Sequence, residues 1–131
     1  MDMKIVLGEN QRVEAHYKGF VIQTDQPTAV GGDNSAPAPF NLFLASIGTC
    51  AGYYVKAFCD QRGIPTEGIT LVQRTLRNEE KRMIGAIEIN IHLPKDFPER
   101  YRESVIKAAN ACAVKKLIAN SPEFIVKTIT E

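Results

Sequence analysis

The sequence predicts an α+β domain built in the order β-rich start, buried central helix, β-hairpin, second helix and C-terminal strand. Three observations predict it. The first quarter consists of short runs with strand character separated by turn residues. A Pro-free and almost wholly apolar stretch fills residues 40–61. Beyond it, a strongly alternating run precedes an amphipathic segment opened by Pro98. No repeat and no linker interrupts the chain, so residues 1–131 read as a single domain.

Residues 5–7, 12–17 and 20–24 are the strand candidates of the first quarter, with Lys18-Gly19 as a two-residue hairpin turn. Residues 24–39, TDQPTAVGGDNSAPAP, collect the residue types of a structured loop. Gly31-Gly32 in this loop has no phosphate-binding fingerprint around it. From Phe40 to Gln61 apolar residues occupy nearly every helical face, the pattern of a buried helix. Arg62-Gly63 and Pro65 stop it, Gly63 serving as the left-handed cap. A helix with no polar face needs cover on every side, more than one further helix and a sheet supply, which points to a dimer. Gly48 and Gly52 thin this helix on both sides of Cys50, each at a cost of up to ~1 kcal/mol relative to Ala.

Residues 69–76 and 83–93 form the second hairpin, turning through Asn78-Glu79-Glu80. Ile87, Ile89, Ile91 and Leu93 alternate with Glu88, Asn90 and His92, which marks one wet face. Arg74, Arg77, Lys81 and Arg82 cluster at its turn as a solvated tip. Pro98 opens a second helix whose early acids (Glu99, Glu103) and late lysines (Lys115, Lys116) match the helix dipole. Val105, Ala108, Ala109, Cys112 and Ala113 share one face of it, so Cys112 points at the core. Residues 124–130 close the chain as a strand.

Sixteen basic against fifteen acidic residues, scattered along the chain, give no footprint for nucleic acid or an anionic membrane. The amino terminus does not read as a signal peptide, and no run approaches the ~20 apolar residues of a membrane span. The expected compartment is the reducing cytoplasm, where three cysteines argue for catalytic or incidental thiols over a disulfide framework.

Two of those cysteines stand in distinctive settings. Cys50 ends the apolar run PAPFNLFLASIGTC, and Cys112 lies 62 residues later in AANACAVKKLI. With no CxxC and no histidine cluster nearby, the pair reads as a candidate redox couple joined by folding, with no metal and no cofactor. Cys59 is nine residues beyond Cys50, half a turn away around the helix, and reads as packing. His16 and His92 lie in strand candidates without companion ligands and read as solvent-face residues. The Tyr53-Tyr54 pair reads equally as pocket lining beside Cys50 or as aromatic core filling.

The combination of PxPxxLxLAxxxxC on the central helix and a second, core-facing Cys in an Ala-rich segment resembles the OsmC/Ohr family, the osmotically inducible and organic hydroperoxide resistance proteins. The resemblance covers essentially the whole chain. It implies an OsmC-like fold, an intertwined homodimer with active sites at the interface, and thiol peroxidase chemistry. Carried across, Cys50 is the peroxidatic cysteine and Cys112 the resolving one, with a hydroperoxide as substrate and an external dithiol as reductant. Arg12 is the residue assigned to the family's activating arginine.

Two departures stand out. The family's peroxidases place a Glu after the helix-opening Pro to hold that arginine; here Phe40 follows Pro39, and Asn41 comes next. Glu14, Asp25 and Asp33 are the carboxylates available to hold Arg12, a plain surface position being the alternative. Ala113 stands where the family often has Pro after the second Cys, so the second helix is expected to run straight through. An apolar cleft bearing Phe40 keeps a second function in view, a dimeric ligand-binding or redox-sensing protein.

Overall fold

Lys18 and Gly19 both adopt positive φ (47° and 82°), so the first tight hairpin closes as the sequence predicts. It joins β2 (Val13–Tyr17) to β3 (Phe20–Thr24), and β1 (Lys4–Leu7) pairs antiparallel on the other side of β2. The computed structural model describes residues 1–130 and divides them into two compact units, residues 1–45 and residues 46 onward.

In the first unit Arg12, expected within a strand, belongs to the turn between β1 and β2. Its carbonyl accepts from Gly8 N at 2.9 Å and its own N–H is spent on Glu9 O at 3.0 Å, so neither group enters the ladder. The following loop makes one 3-10 turn, Thr28–Val30, and folds back on itself at Gly32. A Cβ at Gly32 would lie 2.0 Å from the Gln26 carbonyl oxygen, so only glycine fits. No apolar side chain of this unit is buried; Asp25 is, fully.

Helix α1 (Pro39–Gln61) starts one residue earlier than its apolar run. It ends where the sequence places its stop: Gly63 has φ +65°, Ile64 N bonds to Cys59 O and Gly63 N to Asp60 O. The Arg62 guanidinium adds a bond to Phe58 O and lies 3.8 Å from the Phe58 ring centroid. The expectation of burial on all sides is not met. Only the stripe Ile47, Ala51, Val55 and Cys59 is buried, because one hairpin and one helical segment cover one side of a cylinder. By length and composition α1 is also apolar enough to cross a membrane, contrary to the sequence expectation. Its buried stripe instead joins the core of the second unit.

β4 (Thr70–Asn78) and β5 (Met83–His92) form the second sheet, with Leu71 opposite Ile91 and Gln73 opposite Ile89. A bulge after Leu76 leaves Gly85 unpaired, and a Cβ there would press to 2.8 Å against Asn78 Cβ. Ile87, Ile89 and Ile91 turn inward while Glu88, Asn90 and His92 face water, as the alternation requires. Val55, Cys59, Ile64, Phe97 and Val105 make the core beneath them. A fully buried Val such as Val105 contributes about 1.5–3 kcal/mol.

The second helical segment is not continuous. A 3-10 turn (Glu99–Tyr101) leads into α2 (Arg102–Asn110), the chain breaks at Ala111 and Cys112, and α3 (Ala113–Ala119) follows. Cys112 is buried, as expected, but it is the N-cap of α3 and not a mid-helix residue. The closing strand is also absent among the described residues. Residues 121–130 have no ladder partner, and Phe124, Ile125 and Val126 stand exposed, because a strand exists only where another strand completes its hydrogen bonds.

Candidate functional site

Cys50 sits on α1 beside the buried stripe, between Ile47 and Ala51, and keeps partial access to solvent. Cys112 faces it from the break between α2 and α3, with 1% of its surface exposed. The break creates the site. Had α2 run on, the N–H groups of Ala113 and Val114 would be spent on carbonyls one turn back. As the first residues of a new helix they have no such acceptor. Both face the Cys50 sulfur as donors, and the Cys112 side chain lies beside it.

These contacts fix the acidity of Cys50. The Val114 N–H holds its thiol below the ordinary cysteine value most strongly, followed by the Cys112 side chain; burial works against them, and the Ala113 N–H adds a smaller pull downward. Cys112 is itself anchored: its Sγ accepts from Lys115 N at 3.5 Å, and its thiol donates to Ile47 O at 4.0 Å. Sequence reasoning brings these two thiols together correctly and misses the backbone donors, for which a side-chain pattern holds no signal.

Cys59 behaves as expected of packing. It is fully buried, and burial first, then the Asp60 charge, pushes its thiol upward against Arg62 and Lys56. Gly48 admits Gln73 of β4, whose Oε1 would lie 2.4 Å from a Cβ at that position, whereas Gly52 faces open space. Tyr53 and Tyr54 pack edge to face at 5.4 Å, with Tyr53 exposed.

Beside Cys112 the second unit opens a trough of about 790 Å³. Ile47, Ala51, Ile87, Ile89, Val105 and Cys112 line it, together with the charged residues Arg102, Glu103 and Lys115. The volume suits a single small organic molecule.

In the first unit Arg12 is brought to two partners. Its Nη2 lies 3.0 Å from Asp33 Oδ2, and its Nε donates to Ser35 Oγ at 3.1 Å. Ser35 Oγ donates in turn to Asp25 Oδ2 at 2.6 Å. Of the three carboxylates available from the sequence, Asp33 makes the direct bond and Glu14 pairs with His16. Asp25 also accepts from the N–H groups of Gln26 and Ser35. Its carboxyl is pulled down to about 2, mainly by the Ser35 hydroxyl, then by those N–H groups, against burial and with a small contribution from Arg12.

A family model described as OsmC-like protein matches residues 32–127. No curated protein matches significantly. Among solved structures, the chain resembles one from Psychrobacter arcticus 273-4 described as an osmotic stress induced and detoxification response protein. The TM-score is 0.71 at 20% identity, over 87% of this chain and 85% of that one. An OsmC like protein from Mycoplasma pneumoniae aligns with TM-score 0.68 at 13% identity, over 92% and 87%. An organic hydroperoxide resistance protein from Legionella pneumophila aligns with TM-score 0.56 at 16% identity, over 89% and 87%. At these identities the likenesses establish a shared fold.

Proposed function

Because the chain belongs to the OsmC-like protein family, we propose that it reduces organic hydroperoxides through a Cys50–Cys112 dithiol–disulfide cycle. The observation that carries this reading is the Cys50 sulfur, acidified by two backbone N–H groups of α3 with the Cys112 side chain beside it. An acidified thiol touching a second thiol has the two parts such a cycle needs.

The Cys50 thiolate attacks one peroxide oxygen, the O–O bond breaks, and the alkoxide leaves and takes up a proton. Cys50 is then a sulfenic acid. The Cys112 sulfur attacks it, the S–O bond breaks and water departs, leaving the disulfide. An external dithiol reduces that bond by exchange. Arg12 is assigned the polarising charge of the family's arginine, with Asp33 as its carboxylate where Phe40 removes the usual Glu. The apolar trough beside Cys112 supports an organic over an inorganic peroxide. That same trough favours, as a second reading, an apolar-ligand binder whose thiols sense oxidants.

The reading includes a cytoplasmic homodimer acting without a cofactor. Residues 1–45 bury no apolar side chain, and α1 leaves Phe43 and Tyr53 exposed. Residues 124–130 have strand composition and no partner, and a second copy supplies the missing surfaces and strand edge. The family match runs across the division at residue 45, which supports one domain over residues 1–131.

The test is thiol stoichiometry after one equivalent of tert-butyl hydroperoxide, with mass mapping. Two of the three thiols of each chain should disappear into a Cys50–Cys112 bridge, with the third still alkylatable after denaturation. Retention of all three thiols, or a bridge involving Cys59, refutes the cycle. Ligand uptake without thiol loss selects the second reading.

A further inference from the structure

We propose that Asn110 and Lys115 are positioning residues whose side chains clasp the break between α2 and α3 and hold the first turn of α3 against Cys50. This role rests on the reading of Cys50 as the reacting thiol given above and adds to it what keeps the surroundings of that thiol in place.

The break needs holding. Ala108, Ala109, Ala111 and Ala113 favour an unbroken helix, and neither Gly nor Pro interrupts them. Yet Cys112 turns to an extended conformation, φ −50° and ψ 125°, and α3 starts afresh behind it. Lys115 grips both sides of this break. Its N–H donates to Cys112 Sγ at 3.5 Å and so caps α3. Its Nζ donates to Asn110 Oδ1 at 2.6 Å, on the last residue of α2. Cys112 is tied in turn to α1 through Ile47 O at 4.0 Å, so the clasp links α2, α3 and the helix that carries Cys50. All of these residues lie in the second unit.

Charge placement supports the clasp. A lysine in the first turn of a helix meets the positive end of its dipole and gains nothing there. Bent back to Asn110, the Lys115 ammonium lies instead at the C-terminal end of α2, where a cation is favoured. Among the described residues the acidity of Cys50 is set by hydrogen bonds and burial, Cys112 being the one titratable group that acts on it. Arg102 and Glu103 are the other charged residues along the trough, and Arg102 is engaged by Glu99 at 2.5 Å. What the clasp transmits is therefore geometry, the aim of the Ala113 and Val114 N–H groups at the Cys50 sulfur.

The test is the rate of Cys50 alkylation by iodoacetamide from pH 5 to 9, by mass mapping of the full-length chain. The variants are Lys115→Met, which keeps the backbone N–H, Asn110→Ala, the two combined, and Lys115→Arg. Both positions are exposed, so the fold should accept all four. Lys115→Met and Asn110→Ala should each slow alkylation at pH 7 by about two- to fivefold, the range of one hydrogen bond shared with solvent. Both should move the profile to higher pH, and the double variant should lose no more than either, since both cut the same bond. Lys115→Arg still reaches Asn110 and should keep the wild-type profile. Amide exchange at Ala113 and Val114 should quicken in the slowed variants and stay unchanged in α1, which a general loss of stability would not produce. Wild-type profiles for both single variants overturn the clasp. Losses that add in the double variant overturn it too, as does unchanged exchange at Ala113 and Val114 in a slowed variant. A failed clasp leaves the peroxide stoichiometry of the Cys50–Cys112 cycle untouched, whereas a failed cycle leaves these profiles to decide the clasp.

Discussion

Replacing Ala113 with Pro removes one donor from the Cys50 sulfur and little else. Ala113 is the first residue of α3, the helical position where Pro is best tolerated. Its predecessor Cys112 has φ −50° and ψ 125°, the extended conformation that a following Pro demands, and the Ala113 side chain faces solvent. The fold should therefore accept the ring. A hydrogen bond to a charged group contributes about 1.5–3 kcal/mol when shielded. Cys50 is partly accessible and the Ala113 donor is the weakest of its three, so about 1 kcal/mol is the expected loss after screening. That is roughly a fivefold fall in thiolate below the titration midpoint. The assay is the pH profile of Cys50 alkylation together with a thermal melt, with Ala113→Gly as a control that keeps the N–H. An unchanged profile in a folded Ala113→Pro protein would refute the claim that α3 supplies donors that acidify Cys50.

Three further outcomes follow from the geometry. Cys112→Ser should react once with hydroperoxide and then accumulate sulfenic or sulfinic acid at Cys50, whereas Cys50→Ser should be inert; equal turnover by the two variants removes the assigned roles. Gly32→Ala puts a Cβ 2.0 Å from a backbone oxygen, so urea unfolding should show a loss of about 2–4 kcal/mol, and a loss below 0.5 would mean that the loop is free to open. Asp25 titrates near 3.9 when unfolded and at about 2 when folded, so its stabilising contribution is complete above about pH 4 and fades as pH falls toward 2. Asp25→Asn should flatten acid unfolding in that window, and an unaltered acid limb would contradict the depressed value.

The hairpins and the extent of α1 were legible because they follow from local chemistry, and the nearness of Cys50 to Cys112 from the two cysteine settings taken together. Lys18-Gly19 tolerates positive φ, Gly63 caps a helix, and β5 alternates with period two. The break before α3 was not legible. AANACAV contains neither Gly nor Pro, and its alanines favour an unbroken helix, so contacts outside the segment override propensity. Arg12 was read into a strand because β propensity does not register the turn bond between its N–H and Glu9 O. Ser35 went unnoticed because a serine in a Gly-Pro loop has a ready explanation as a turn residue. The expectation of a wholly buried α1 failed differently: composition states how much apolar surface a helix carries, not how much one chain covers.

The break at Ala111 and Cys112 also bears on the order of events at the two sulfurs. Two backbone N–H groups of α3 and the neighbouring Cys112 side chain hold the Cys50 thiol below its ordinary value, while the Cys112 thiol itself is directed to the Ile47 carbonyl at 4.0 Å. The pair thus offers one acidified, partly accessible thiol with a buried thiol beside it, the arrangement a peroxidatic and a resolving cysteine need. Reversing the roles would ask the Cys112 sulfur, almost wholly shielded from water, to meet the peroxide. Its one close backbone donor, Lys115 N at 3.5 Å, is then fewer than the two N–H groups that Cys50 receives. Donor count and solvent access both favour Cys50 as the attacking sulfur, since it is acidified and partly accessible where Cys112 is buried.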